Sequence, residues 1–193
     1  MGHGIITISR QYGSGGRLIG KELAERLNIP FYDKEIIDLS AKQSGVSDSF
    51  FTQPEQAGSC FMRDFSSGIP FELPLGDKIY LAQYSAICDI AKNGPCVIVG
   101  HGAGAALKDN PSLLNVFIYA DREIRKRRAI EEYGDEPKKI EDHMAAIDKK
   151  RASYFRFYSG INGRQMENYH LCIDSGYLGL EGAVKTIETA YLS

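Results

Sequence analysis

The sequence predicts an α/β fold in which a five-stranded parallel sheet is flanked by helices. Short apolar segments rich in β-branched residues alternate with longer segments in which apolar residues recur every three or four positions. A glycine-rich loop separates the first of the short segments from the first helical one. Strands that alternate with helices form parallel sheets with right-handed crossovers. A length of 193 residues suits one domain with a sizeable core, so we expect residues 1–193 to form a single domain.

The predicted elements follow one another in a regular order. The five strands are expected at residues 5–8, 29–33, 95–99, 114–120 and 171–174. The first helix has Ile19, Leu23 and Leu27 on one face, and further helices are expected at residues 34–43, 78–92, 121–133, 135–158 and 180–192. Residues 44–77 contain five of the nine phenylalanines among several glycines and prolines. This aromatic content favours a folded substrate flap over a plain linker.

The composition excludes several classes of partner. A net charge of −2 and a hydrophobic fraction of 43% are ordinary for a globular protein and do not indicate a nucleic-acid partner. No apolar run reaches the length of a membrane span. The four cysteines show no metal-binding spacing, so they are interpreted as reduced residues of a cytoplasmic protein.

The first strand leads into a loop whose composition predicts an anion site. A strand, a flexible loop and a helix N-terminus in this order present outward-facing backbone N–H groups. Glycines let such a backbone approach a phosphate where a Cβ would clash. We therefore expect Gly13, Ser14, Gly15 and Gly16 to cradle phosphates. A P-loop normally ends in Gly-Lys-Ser/Thr, whereas these positions hold Gly15, Gly16 and Arg17.

Other polar residues are expected beside this loop, because the carboxyl ends of parallel strands meet at one edge of the sheet. They include Asp33, His101, Asp121, Arg122 and Asp174. The set indicates a phosphate pocket. An acyl-transfer site is not indicated, since the sequence has no Gly-x-Ser-x-Gly motif and no cysteine with an evident histidine partner.

Four segments give a more specific indication. They are residues 6–17 (ITISRQYGSGGR), 29–33 (IPFYD), 94–100 (GPCVIVG) and 178–183 (LGLEGA). With these segments, and with residues 149–159 as well, the chain resembles the cytidylate kinase-like family, a branch of the P-loop nucleoside monophosphate kinases. The resemblance implies a three-layer P-loop kinase fold with a substrate flap at 44–77 and a helical lid at 134–165. It also implies ATP and Mg²⁺ as cofactors, with transfer of the γ-phosphoryl group to CMP, dCMP or a similar small acceptor.

The resemblance implies roles for four arginines. Arg17, beside the glycine at the lysine position, is the natural substitute for the P-loop lysine, since a guanidinium binds phosphate bidentately. The alternative is that it points into solvent. Arg125, Arg128 and Arg151 would close over the donor phosphates as part of the lid. Ordinary pairing of charges along solvated helices is the alternative for these three.

Two further residues are expected to face the acceptor. His101 stands where relatives usually have arginine, and it could donate a hydrogen bond to the acceptor phosphate or serve only the structure. Asp33 could hold the acceptor or cap the next helix. No aspartate ends the third strand, so no protein metal site is predicted. Ser9, Asp33 and water are the candidate magnesium contacts.

Two other functions compete with the kinase. A dinucleotide-binding fold would use Gly13, Gly15 and the acid Asp33 about twenty residues further on, but its third glycine position holds Leu18. The stronger alternative is a non-catalytic nucleotide sensor that keeps the cradle, while Gly16 and His101 abolish transfer.

Overall fold

The computed structural model describes residues 4–33 and 75–193, together with Ile36 and Leu39. Its sheet has five strands: β1 (Ile5–Arg10), β2 (Phe31–Tyr32), β3 (Cys96–Val99), β4 (Leu113–Tyr119) and β5 (Leu171–Asp174). Every pairing is parallel, and the strand order is β2-β3-β1-β4-β5. The predicted five-stranded parallel sheet is therefore confirmed.

Six α-helices are described. They are α1 (Gly16–Leu27), α2 (Leu75–Lys92), α3 (Ala103–Ala106), α4 (Arg122–Glu131), α5 (Ile140–Ser159) and α6 (Gly179–Leu192). Short 3₁₀ turns lie at Pro137–Lys139 and Met166–Asn168. Every helix in the described ranges is too short or too polar to span a lipid bilayer.

The hydrophobic core lies on both faces of the sheet, which gives the three layers. On one face, side chains such as Ile6, Ile8 and Val116 pack against the apolar faces of α1 and α6. On the other face, Ile98 is among the residues that pack against α2 and α3. Strands buried on both faces must be apolar throughout, which explains the continuous apolar run of β3. Its four residues are all buried.

The topology places the glycine loop at a switch point of the sheet. The connection after β1 leads to β2, which lies beyond β3, whereas the connection after β3 leads to β4, on the other side of β1. The connections after these two neighbouring strands therefore run in opposite directions. Ligands of open α/β sheets bind in the crevice at such a point. The loop of residues 11–15 leaves β1 at this place and leads directly into α1.

Several predicted boundaries need correction. Helix α2 begins at Leu75, so the last three residues of the predicted flap are helical. The helix predicted at 135–158 begins only at Ile140, after a 3₁₀ turn with a proline in its first turn. Asp121 caps α4 by accepting a hydrogen bond from the Glu123 backbone, so it precedes the helix. The predicted helix at 34–43, except for Ile36 and Leu39, and the flap at 44–74 lie outside the described residues.

A buried polar network joins β1 and β4 to the segment before β5. The Thr7 hydroxyl donates to Asn115 Oδ1 at 2.8 Å, and Asn115 Nδ2 donates to the Asn168 carbonyl at 2.8 Å. Thr7 is 1% exposed, so its hydroxyl could not turn to water if the Asn115 side chain were removed. A buried polar group left without a partner carries its full desolvation cost.

We expect Asn115→Ala to lower the free energy of unfolding by about 1–3 kcal/mol, the usual cost of unsatisfied buried hydrogen-bonding groups. Urea denaturation of wild type and variant measures this difference. Thr186→Ala is the control, because it removes an exposed hydroxyl that donates to a backbone carbonyl within α6. Equal losses in the two variants would contradict a special role for the buried network.

Candidate active site

The glycine loop has a backbone that only glycine adopts readily at two positions. Gly13 and Gly15 have φ angles of 73° and 79°, in the left-handed region. A Cβ on Gly13 would overlap the Arg125 carbonyl oxygen, and one on Gly15 would overlap the Leu180 side chain. The loop therefore requires glycine at both positions for conformational and for packing reasons.

Two arginines of α4 hold the loop from outside. Arg125 Nε donates to the Tyr12 carbonyl at 2.8 Å, and Arg128 Nη1 donates to the Gly13 carbonyl at 2.9 Å. Because the peptide bonds are trans, the N–H of Gly13 points away from the carbonyl that Arg125 holds. The amides of Gly13 and Gly16 have no hydrogen-bond acceptor in the described part of the chain. They are free to bind an anion.

Helix α5 is fastened to the same loop through one carboxylate. Asp148 accepts hydrogen bonds from the Tyr12 backbone N–H at 2.7 Å and from Arg125 Nη2 at 2.6 Å. The side chains of Arg125 and Asp148 are 10% and 17% exposed, so water screens this pair weakly. The loop, α4 and α5 are thus joined at a single point.

Asp33, after β2, lies among three basic side chains. Arg17 Nε is 2.6 Å from its Oδ2, while Arg10 Nη2 and His101 Nε2 are each 3.8 Å from its Oδ1. Burial alone would raise the pKa of Asp33. The hydrogen-bonding contacts of His101 and Arg17 and the charge of Arg10 outweigh burial and lower the pKa to about 2. Asp33 is therefore a fixed negative charge in a basic surrounding.

Arg10 and Arg151 form a pair of like charges near this carboxylate. Burial and the neighbouring Arg151 lower the pKa of Arg10 to about 10. Burial also lowers the pKa of Arg151, which donates to the Arg10 carbonyl at 3.4 Å and lies over the Tyr12 ring. Two guanidinium groups held together out of water favour the arrival of an anion.

A cavity of about 1150 Å³ lies between α5 and the carboxyl ends of β1, β3 and β4. Six of the described residues that line it are arginines or lysines, namely Arg10, Arg122, Arg125, Lys150, Arg151 and Arg164, and two are acids, Glu141 and Asp148. Both acids are already paired, Asp148 with Arg125 and Glu141 with Arg122 and Lys126. The cavity therefore has an excess of positive charge suited to an anionic ligand. Its apolar wall includes Phe117 and Tyr169, whose rings are 5.0 Å apart.

Comparison with known proteins identifies the family. The model of the cytidylate kinase-like family matches residues 5–177. The chain belongs to the cytidylate kinase-like family. This result confirms the resemblance found in the sequence.

Solved structures agree with the fold of this family. An uncharacterised protein from Eubacterium ventriosum is 29% identical, with a TM-score of 0.72 and 96% of both chains covered. Shikimate kinase from Bacteroides thetaiotaomicron is 16% identical, with a TM-score of 0.54 and 96% of both chains covered. Shikimate kinase from Aquifex aeolicus is 18% identical, with a TM-score of 0.50, and the match covers 96% of this chain and 94% of that one. The last two similarities show the P-loop kinase fold. No curated protein matches the chain.

The family and the fold support a kinase that uses a nucleotide, in agreement with the coarser part of the prediction. The structure brings most of the predicted site residues of this cytidylate kinase-like protein to one end of the sheet. His101, Arg125 and Arg151 line the cavity, while Arg17 and Asp33 pair beside it. Arg125 and Arg128 are engaged with the loop backbone here. Their contact with phosphates stays a prediction.

The sequence prediction gave no role to two residues that the structure places at the centre of the site. Asp148 joins α5 to the loop, and nothing in its helical pattern marks it. Arg10 carries its guanidinium into the cavity wall. The sequence does contain a signal for Arg10, because this arginine stands at the position where the P-loop pattern begins with glycine.

The described residues offer few side-chain ligands for a magnesium ion. No cluster of three or more metal-binding side chains occurs among the described residues. Asp33 is already bound to Arg17. A Mg²⁺ ion usually keeps several waters and takes its other ligands from substrate phosphates and one or two carboxylates. In this family member it would thus be held mainly by the nucleotide.

The depressed pKa of Asp33 predicts a pH-dependent contribution to stability. Its pKa falls from 3.8 in the unfolded chain to about 2 in the folded one, so the stabilisation is present above about pH 4 and lost as the pH falls through 2. We expect Asp33→Asn to lower the free energy of unfolding at pH 7 by about 2 kcal/mol. Urea denaturation between pH 7 and pH 2.5 measures the difference, which should shrink toward the acid end.

Glu25→Gln is the matched control, since the Glu25 side chain is exposed and lies 3.8 Å from Lys21. It should change stability little at any pH. A difference between wild type and Asp33→Asn that stays constant over the whole pH range would contradict a fixed charge at Asp33.

Proposed function

We propose that the protein is an ATP-dependent nucleoside monophosphate kinase that transfers the γ-phosphoryl group to CMP, dCMP or a similar small acceptor. One observation carries the proposal. A glycine loop in which the Gly13 and Gly16 amides are free is held in place by two arginines and adjoins a cavity with an excess of positive charge. Phosphoryl transfer requires positioning and positive charge around the phosphoryl oxygens, and little covalent chemistry from the protein.

The donor phosphates would bind to the backbone of Gly13, Ser14, Gly15 and Gly16. The N-terminus of α1 adds its partial positive charge at the same place. Arg125 and Arg128 keep the loop in its binding shape, because each holds one of its carbonyls on the side away from the phosphates. In the reaction, the bond from the γ-phosphorus to the β–γ bridging oxygen breaks while a bond to an acceptor oxygen forms. The electron pair leaves with ADP.

Charge that develops on the transferred group would be balanced by Arg17 and Arg151. Arg151 reaches the loop from α5, within residues 134–165, which we propose to act as a lid. Closure of a lid excludes water, which would otherwise take the phosphoryl group. Mg²⁺ bound to ATP would supply further positive charge at the β- and γ-phosphates.

The acceptor would lie in the cavity beyond the end of β3. His101 is 16% exposed there and has a φ angle of 55°, a left-handed conformation in which histidine is enriched. Its imidazole would donate to the acceptor phosphate. A cavity of about 1150 Å³ is large enough for a nucleotide, and the rings of Phe117 and Tyr169 offer an apolar surface to a base.

An assay of transfer tests the proposal against the sensor alternative. The purified protein is incubated with ATP and Mg²⁺ alone or with CMP, dCMP, UMP or AMP, and diphosphate products are resolved by chromatography. We expect a nucleoside diphosphate from at least one cytidine acceptor, with slow ADP release when no acceptor is present. The Arg17→Ala variant should lower both transfer and ATP affinity. Arg17 is half-exposed, so its loss removes no core packing.

Arg127→Ala is the control for the loss of one positive charge, because Arg127 is exposed and lies on another side of α4 from Arg125 and Arg128. It should keep wild-type transfer. ATP binding without transfer to any acceptor would refute the kinase and leave the nucleotide sensor. Failure to bind ATP would refute both.

His101→Arg tests the placement of the acceptor. A permanent charge at the end of β3 should tighten binding of the preferred monophosphate by up to ~1–3 kcal/mol, the scale of a charge-assisted hydrogen bond. Calorimetry with the monophosphate measures the change. Asn93→Arg is the control, because it adds the same charge in the exposed segment that precedes β3, at the opposite edge of the sheet. Unchanged or weaker binding of every monophosphate would assign His101 a structural role.

A further inference from the structure

The chain departs from the P-loop pattern at three positions: Arg17 replaces the serine or threonine, and the two other departures meet in space. The pattern Gly-x-x-x-x-Gly-Lys-Ser/Thr falls on residues 10–17, with the second glycine at Gly15. Arg10 then occupies the position of the first glycine, and Gly16 occupies that of the lysine. One position has gained a positive charge and the other has lost one.

The structure shows that these two departures depend on each other. A Cβ built on Gly16 would lie 2.7 Å from the Arg10 Cβ and 3.1 Å from its Cγ. The stem of Arg10 therefore crosses the space that a side chain at position 16 would need. A lysine at position 16 would require the Arg10 side chain to move, whereas glycine leaves it room.

A second glycine makes room for the other end of Arg10. Gly100, which follows β3, has a φ angle of 86°, and a Cβ there would overlap Arg10 Nη1. The side chain thus runs from the end of β1, over the first residue of α1, to the end of β3. Its guanidinium lies between the glycine loop and the proposed acceptor position at His101.

The guanidinium has few partners in this position. It makes no hydrogen bond with any residue that the structure describes. Among the described residues, its nearest carboxylate oxygen is Asp33 Oδ1 at 3.8 Å, and Asp33 is bound more closely by Arg17 at 2.6 Å. The Arg10 side chain is nevertheless only 17% exposed, and Arg151 repels it. This cation has five N–H donors, is mostly removed from water, lies next to another cation and shares the Asp33 carboxylate with Arg17 and His101. An added anion would therefore find donors that are not yet used.

We propose that Arg10 takes the place of the P-loop lysine and binds the γ-phosphate of the donor nucleotide. This inference rests on the proposed function, which places a nucleotide at the loop. Arg10 approaches the phosphoryl group from the side of β3, where the acceptor is proposed to bind. The guanidinium therefore remains beside the phosphoryl group during its transfer to the acceptor. A guanidinium can contact two phosphoryl oxygens at once through its planar set of N–H groups, whereas an ammonium group acts as a point charge.

A double-mutant cycle tests the exchange of charge between the two positions. The variants are Arg10→Gly, Gly16→Lys and the combination of both, which restores the first glycine and the lysine of the P-loop pattern and leaves Arg17 in place. Calorimetry measures the binding of ATP and of inorganic tripolyphosphate, and steady-state assays measure kcat/KM for transfer. Arg127→Ala again controls for the loss of one charge.

We expect Arg10→Gly to weaken binding of both ligands about 10- to 100-fold, the effect of losing a charge-assisted contact. Gly16→Lys alone should also weaken binding, since the lysine and the Arg10 stem compete for one space. The double variant should bind more tightly than either single variant. Equal affinity for tripolyphosphate in wild type and Arg10→Gly would overturn the proposal, and so would a double variant no better than Arg10→Gly.

A second substitution separates binding from folding. Arg10→Gln keeps most of the stem and a polar end but removes the charge, and thermal unfolding reports the stability of each variant. If Arg10 only held Asp33, Arg10→Gln would lower the thermal stability and leave tripolyphosphate affinity unchanged, which would overturn the proposal. A wild type that binds tripolyphosphate through Arg10 but transfers no phosphoryl group would refute the kinase and retain Arg10 as an anion-binding residue.

Discussion

The hydrogen bonds from α4 to the glycine loop are the constraint on which the site depends. Arg125 and Arg128 each hold one loop carbonyl, and the same arrangement leaves the Gly13 amide facing the opposite way. Asp148 extends this contact to α5, which covers the cavity. A glycine loop is flexible by composition. Its fixed conformation comes from the two arginines and from close packing that excludes any Cβ at Gly13 and Gly15.

Unbalanced charge is the second organising feature. Around Asp33 one carboxylate faces Arg10, Arg17 and His101, with Arg151 close by. Such an arrangement costs stability in the absence of a ligand, because like charges lie together in a poorly solvated place. Sites that bind phosphates commonly carry this cost, since the ligand's own charge removes it. The excess of cations thus connects the electrostatics of the site with the proposed chemistry.

Much of the fold could be predicted because its signals are local. Short continuous apolar runs mark the strands, which are buried on both faces, and periods of three to four residues mark the helices. The strands and most helices were therefore located to within a few residues. The errors in the predicted secondary structure lie at the ends of helices and strands and in the shortest elements. The four-residue α3 has no periodic signal, and the helix predicted from residue 135 starts later because Pro137 belongs to a 3₁₀ turn.

The sequence by itself determined the five-stranded parallel sheet, the family and the presence of a glycine loop at the end of the first strand. Those features follow from local patterns and from motif strings that need no knowledge of contacts. Only the tertiary structure decided what the basic residues touch. That Arg125 and Arg128 hold the loop backbone, and that Arg10 crosses Gly16 to reach Gly100, depends on how α4, β1 and β3 pack. Side chains far apart in the chain meet there, and no spacing in the sequence records such a meeting.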